Sequence, residues 1–214
     1  MPINLKNLND INFELKKFQK SELLIVTKKR KLDDISSLIN QGYKRFGENR
    51  VQEASEKYSQ LTFENRNKIS LDLIGPLQTN KTADALDVFD TIQTIDRPKL
   101  VQAVIKEIRK KNRPIKTKSF FIQINIGEET QKAGVKPSSF SSFYNYCLNE
   151  GLPIKGIMCI PPHQIDPINY FKQMVLIKEK IDNNLILSMG MSDDYLLALR
   201  LGSNLIRVGS KIFD

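Results

Sequence analysis

An α/β fold built as a single (β/α)8 TIM barrel is expected for this chain from three features of its sequence. Eight short apolar runs alternate with stretches of helical periodicity in a steady rhythm. The first run, Leu23 to Val26, is too short for a helix and rich in strand formers, the pattern of a core strand in a parallel sheet. Glycines fall at two kinds of place, a few residues before strands and at strand ends, as repeated β-α crossovers require. Eight right-handed crossovers of this kind can close on themselves.

The elements follow in order. A helix over Asn4–Lys20 precedes the first strand, Leu23–Thr27, which stops abruptly at Thr27 and Lys28. The remaining strands are read at Arg45–Gly47, Leu71–Ile74, Thr91–Ile95, Phe120–Ile126, Ile154–Ile160, Leu185–Ser188 and Leu205–Val208. Helical periodicity occupies Leu32–Asn40, Val51–Tyr58, Lys81–Leu86, Pro98–Lys111, Pro137–Asn149, Pro167–Asp182 and Asp193–Leu201. The basic run Lys110-Lys111-Asn112-Arg113 closes one of these helices, where positive charge suits the dipole. Gly42, Gly151 and Gly202 sit where a left-handed residue ends a helix. Gly47, Gly75, Gly127, Gly190 and Gly209 sit at the carboxyl ends of strands, and Gly190 and Gly209 are read as lying against a ligand.

A chain of 214 residues with 40% hydrophobic content is long enough for one domain with a sizeable core, and residues 1–214 are read as that one domain. All apolar runs are far shorter than a membrane span, and the start lacks the apolar stretch of a secretory signal, so the cytoplasm is expected. Cys147 and Cys159 show no CxxC spacing and are expected to be buried free thiols. Lys and Arg outnumber Asp and Glu by 33 to 24, but the excess is dispersed and no nucleic-acid-binding signature accompanies it. His163 is the one histidine, which excludes a histidine-based metal cluster. Neither a P-loop nor GxGxxG is present.

Chemistry is expected at the carboxyl ends of the strands, where ligands of α/β barrels bind. Lys28 ends the first strand beside an apolar wall, which would lower its pKa towards the neutral amine that forms a Schiff base. The competing reading is a solvated basic turn, Lys28-Lys29-Arg30-Lys31. Arg207 lies within an apolar strand, where a guanidinium is costly unless it meets an acceptor. A ligand in the barrel mouth and an ion pair with Glu48 are equally open as that acceptor. Ser192 is placed to cap the last long helix and offer an anion its hydroxyl, while Asp193 and Asp194 should face outward.

Val26-Thr27-Lys28, Phe46-Gly47-Glu48-Asn49-Arg50-Val51-Gln52-Glu53, Ile74 to Lys81, Gly156 to Pro162, Ser188 to Asp194 and Arg207-Val208-Gly209 together resemble the pyridoxal phosphate homeostasis protein family, also called YggS or PROSC. The resemblance spans nearly the whole chain in order. It implies a barrel like the N-terminal domain of alanine racemase, with pyridoxal 5′-phosphate (PLP) held as a Schiff base on Lys28. It further implies Arg207 at the pyridine nitrogen, Ser192, Gly209 and Ser210 around the phosphate, and Asn49 as a polar neighbour. The chain departs from the family pattern at Lys29-Arg30-Lys31, at Pro76 in place of a frequent histidine, and at Ser210 in place of threonine.

The function expected from the resemblance is non-catalytic storage, buffering or delivery of PLP, with PLP-dependent apo-enzymes as recipients. A monomer without nucleic-acid or membrane partners is expected. An arginine at the ring nitrogen keeps that nitrogen unprotonated and weakens the electron sink that amino-acid chemistry needs. Related racemases also complete their sites with a second domain, for which this length leaves no room. Two alternatives stand beside it: an amino-acid racemase or other fold-type III PLP enzyme, and a scaffold or RNA-binding module using the +9 charge.

Overall fold

Strands that are apolar on both faces need cover on both, and a closed barrel wrapped in helices supplies it. The computed structural model describes residues 3–110 and 114–213. The strands are β1 (Glu22–Val26), β2 (Arg45–Glu48), β3 (Ser70–Leu73), β4 (Thr91–Ile95), β5 (Ser119–Ile124), β6 (Ile154–Cys159), β7 (Ile186–Ser188) and β8 (Leu205–Val208). They pair in sequence order into a closed barrel. Closure is made by parallel pairing of β8 with β1, in the register Leu24 to Arg207.

The helices are α1 (Leu5–Leu15), α2 (Leu32–Asn40), α3 (Val51–Tyr58), α4 (Phe63–Asn67), α5 (Thr82–Val88), α6 (Pro98–Lys110), α7 (Phe140–Asn149), α8 (Ile168–Ile181), α9 (Tyr195–Arg200) and α10 (Ser210–Phe213). Short 3-10 turns at Thr79–Lys81 and Pro137–Ser139 lead into α5 and α7. None of the helices among the described residues is long and apolar enough to cross a membrane.

Strand alternation divides the apolar residues into two cores. Ile25, Phe46, Leu71, Ile122 and Ile206 pack outward with helix residues such as Leu38, Val101 and Phe171. Leu24, Phe121 and Leu205 point inward with Val26, Ile74 and Ile186 and form a small apolar core within the barrel. Polar residues share the interior: Asp72, Gln93, Ser188 and Arg207 are all buried.

The structure differs from the sequence expectation at element ends. α1 stops at Leu15 rather than Lys20, because Lys17 and Phe18 donate to the carbonyls of Glu14 and Leu15 and turn the chain back towards β1. α4 was not anticipated; five residues carry too little periodicity, although Thr62 caps it by accepting from the Asn65 N–H at 3.2 Å. The short α10 was missed for the same reason. β5 ends at Ile124 because Asn125 leaves the sheet to bond the Val135 carbonyl. Lys111, Asn112 and Arg113, expected to close α6, lie outside the described residues. Gly42, Gly151 and Gly202 do follow helices with φ of 92°, 82° and 89°.

Packing by itself supplies a reason for glycine at both Gly190 and Gly209. Gly190 has φ of 94° and packs where a Cβ would lie 2.5 Å from the Ala198 Cβ, so packing against Ala198 calls for glycine there. At Gly209 a Cβ would come within 3.1 Å of the Val26 Cβ, which makes the approach of β8 to β1 reason enough for glycine there.

Cys147 and Cys159 are buried free thiols, and burial pushes each up to about 12. Thiol alkylation of the native protein at neutral pH should therefore be negligible, with both cysteines modified after denaturation. Rapid modification of either in the folded protein would contradict their burial.

Candidate functional site

At the carboxyl ends of the strands the chain turns leave a cavity of about 460 Å³. Lys28, Asn49, Ser192, Arg207, Gly209 and Ser210 all line it, although they come from four different strand ends. Val26, Ile74, Ile160 and Met191 supply apolar walls, and His163 and Asp193 complete it. Asn49 also borders a neighbouring cavity of about 430 Å³ with Arg50, Gln78 and Lys81.

Lys28 stands two residues beyond β1 in a turn closed by the Arg30 N–H donating to the Thr27 carbonyl at 3.0 Å. Its side chain is exposed at the cavity rim rather than sealed against the apolar wall.

Arg207 alternates inward with Leu205 and is only 4% exposed. Its Nη1 donates to Ser188 Oγ at 2.9 Å and its Nη2 to the Cys159 carbonyl at 2.7 Å. Among the described residues its guanidinium donates to no carboxylate. Burial lowers its pKa, and Cys159 and Asp194 oppose that shift.

The ion pair with Glu48 does not form. Gly47 points inward against Leu24 and Ile74, so the next residue, Glu48, points outward to α3. There it accepts from Lys57 Nζ at 2.9 Å and Thr27 Oγ1 at 2.8 Å.

The partners of Arg207 continue across the barrel. Ser188 Oγ donates to Gln93 Oε1 at 2.7 Å, and Gln93 Nε2 donates to Asp72 Oδ2 at 2.6 Å. Arg45 reaches the same oxygen from the amino-terminal end, with Nη2 at 2.9 Å, and also holds Glu22 at 3.0 Å. Burial raises the Asp72 pKa against the opposing pull of Arg45. Burial works to lower the Arg45 pKa, but Asp72 and Glu22 outweigh it and the net shift is upward. Sequence reasoning missed Asp72, Gln93 and Ser188. The available signal was a polar residue flanked by apolar ones within a strand, as in Leu71-Asp72-Leu73.

Ser192 is not a helix cap. α9 begins at Tyr195 with Asp194 as its N-cap residue, and Asp194 Oδ1 accepts from the Met191 N–H. Ser192 Oγ instead accepts from Ser210 Oγ at 2.9 Å, joining the two hydroxyls at one wall of the cavity. The outward orientation expected of both aspartates holds for neither without qualification: Asp193 is exposed yet lines the cavity, and Asp194 turns back onto the loop. Burial raises the Asp194 pKa, with the Met191 N–H opposing. No group of three or more His, Cys, Asp or Glu among the described residues could hold a metal ion.

Comparison with known proteins finds the family model for the alanine racemase N-terminal domain matching residues 4–213. A pyridoxal phosphate homeostasis protein of Haemophilus influenzae is 34% identical over 204 residues, covering 90% of this chain and 84% of that protein. The structure of PipY from Synechococcus elongatus with PLP bound is similar over 98% of this chain and 99% of PipY, with a TM-score of 0.83 and 26% identity. An alanine racemase from Acinetobacter baumannii shares the fold alone, with a TM-score of 0.74 and 19% identity over 98% of this chain and 61% of its own.

Proposed function

Because the chain belongs to the alanine racemase N-terminal-domain family and, within it, to the pyridoxal phosphate homeostasis proteins, we propose that it is a non-catalytic PLP-binding protein that stores, buffers or delivers the cofactor. The observation that carries this reading is the convergence of three chemistries on one cavity: an amine on Lys28, a buried guanidinium on Arg207, and paired hydroxyls on Ser192 and Ser210. These suit the aldehyde, ring nitrogen and phosphate of PLP respectively, so the residues present fit the group. PLP would supply an aldehyde carbon open to attack by an amine, and Lys28 is the residue that would hold it there, as a Schiff base.

The protein's own groups account for retention without turnover. Arg207 is anchored by Ser188 and the Cys159 carbonyl, and its cation would disfavour protonation of a ring nitrogen held beside it. Ser192, Gly209 and Ser210 would hold the phosphate, and Asn49 would offer a polar edge to the cofactor. Apo-enzymes that need PLP are the proposed recipients, and the protein is proposed to act as a cytoplasmic monomer of one domain.

The first test is an absorbance spectrum of the protein with PLP before and after borohydride, followed by peptide mapping. Hydride addition converts the imine to a secondary amine, and the modified peptide should contain Lys28. An adduct at Lys29 or Lys81 would overturn the assignment. Ser192→Asp should weaken PLP retention about tenfold or more, since like charge against the phosphate need contribute only ~1.4 kcal/mol to do so. Unchanged affinity would place the phosphate elsewhere.

One observation favours an amino-acid racemase: His163 lines the same cavity and is a possible proton carrier. Exchange of amino-acid α-protons in deuterated water, followed by NMR, separates the readings. Exchange no faster than with PLP alone is expected, and brisk exchange would establish an enzyme.

A further inference from the structure

The turn bearing Lys28 is fixed from behind, on the side away from the cavity. Lys57 Nζ donates to the Thr27 carbonyl at 3.0 Å, to Glu48 Oε1 at 2.9 Å and to Glu53 Oε1 at 3.1 Å. An ammonium has three N–H donors, and here each has an acceptor. Glu53 and Lys57 are four residues apart on α3 and so share a helix face.

Both residues flanking Lys28 are held by this cluster. Before it, Thr27 Oγ1 donates its single hydrogen to Glu48 Oε1 at 2.8 Å, which leaves the Tyr58 hydroxyl, also at 2.8 Å, as donor to Thr27. After it, the Lys29 N–H donates to Glu53 Oε1 at 2.7 Å. Lys29 has φ of 60°, a left-handed conformation that costs a non-glycine residue about 1 kcal/mol and persists where surrounding contacts impose it. Lys28 itself is exposed, so its backbone, not packing around its side chain, sets where the side chain leaves the turn.

The cluster is also built for burial. Glu48 is fully buried, and its second oxygen has no hydrogen-bond partner among the described residues. Such a carboxylate beside Lys57 is costly to leave without its cation. Burial raises the Glu48 pKa and Lys57 opposes it, so the two groups depend on each other.

We propose that Lys57, with Glu48 and Glu53, is a positioning cluster that holds the Thr27-to-Arg30 turn in the conformation aiming Lys28 into the cavity. The inference rests on the reading of Lys28 as the residue that takes PLP, and it deepens that reading by assigning three residues that do not line the cavity. Its chemistry distinguishes lysine from arginine at position 57, because the Lys57 ammonium meets all three acceptors from one compact nitrogen, whereas the larger guanidinium spreads its donors over a plane.

The experiment compares the unmodified protein with Lys57→Met, Lys57→Arg and Glu53→Ala. The first readout, taken on ligand-free protein, is hydrogen exchange at the Lys29 amide by NMR. It should accelerate about tenfold or more in Lys57→Met and Glu53→Ala, the scale of one lost net hydrogen bond. The second is the equilibrium dissociation constant for PLP, expected to rise about tenfold in the same variants with any borohydride adduct still at Lys28. Lys57→Arg should fail to restore either readout.

Glu53→Ala removes a half-exposed side chain and keeps the test available should Lys57→Met not fold. A lower melting temperature with unchanged Lys29 exchange and unchanged PLP affinity would show a merely structural role and overturn the proposal. Failure of the underlying reading is distinct: it would appear as absence of a Lys28 adduct in the unmodified protein, while the ligand-free exchange still reports on the clamp.

Discussion

Lys28→Ala is expected to abolish the visible absorbance band of the PLP-loaded protein and to raise the dissociation constant for PLP at least a hundredfold, a loss of ~2.7 kcal/mol or more. Lys28 is the lysine that lines the cavity beside Ser192, Arg207 and Ser210. Lys81 borders the neighbouring cavity and lies 3.7 Å from Asp84, so it is poorly placed to substitute. Because Lys28 is exposed and its neighbours are held through backbone groups, its truncation should leave stability within about 0.5 kcal/mol. Urea unfolding and spectral titration on the same preparation provide the check. A persistent band trapped by borohydride at another lysine would move the Schiff base, and a collapse of stability would mean that Lys28 serves the fold.

Asp72→Ala should destabilise the protein by about 3–5 kcal/mol, the range seen when one partner of a buried pair is removed. The Asp72 carboxylate is fully buried and accepts from Arg45 and from Gln93. Without it, Arg45 retains only Glu22, at a far more exposed position, and the Gln93 amide loses its acceptor inside the barrel. Asp72→Asn keeps one acceptor oxygen and should cost less. The urea midpoint should fall with an unchanged slope, as expected for lost native interactions rather than a changed unfolded state. The disturbance should also reach the cavity, because Gln93 orients Ser188 and Ser188 holds Arg207. A loss below about 1 kcal/mol would show that solvent and Glu22 suffice for Arg45, and that the interior chain is not held by the carboxylate.

Arg207 and Glu48 show where reading residues in order reaches its limit. Both were recognisable as charged residues on buried strands, and their pairing was an open alternative. The structure sends them to opposite faces of the sheet, because alternation from Gly47 turns Glu48 outward and alternation from Leu205 turns Arg207 inward. A one-residue difference in register reverses such an assignment, and register is set by neighbouring strands.

The sequence by itself determined the alternation of strands and helices, the helix-ending glycines and the residues that gather at the barrel mouth. The first two follow from local signals, apolar periodicity over a few residues and backbone freedom at glycine, and the third rests also on the resemblance of the motif strings at strand ends to a known family. Lys28, Asn49, Ser192, Arg207, Gly209 and Ser210 all occupy strand ends or the loops just beyond, and barrel closure brings such positions together. Only the tertiary structure decided what each polar group bonds. Ser188 meets Gln93 across 95 residues of chain, and Arg207 meets the Cys159 carbonyl across 48. The Lys57 tripod joins β1, β2 and α3 behind the Lys28 turn. Buried donors and acceptors must be satisfied by whatever the fold brings near, and that proximity is absent from any short stretch of sequence.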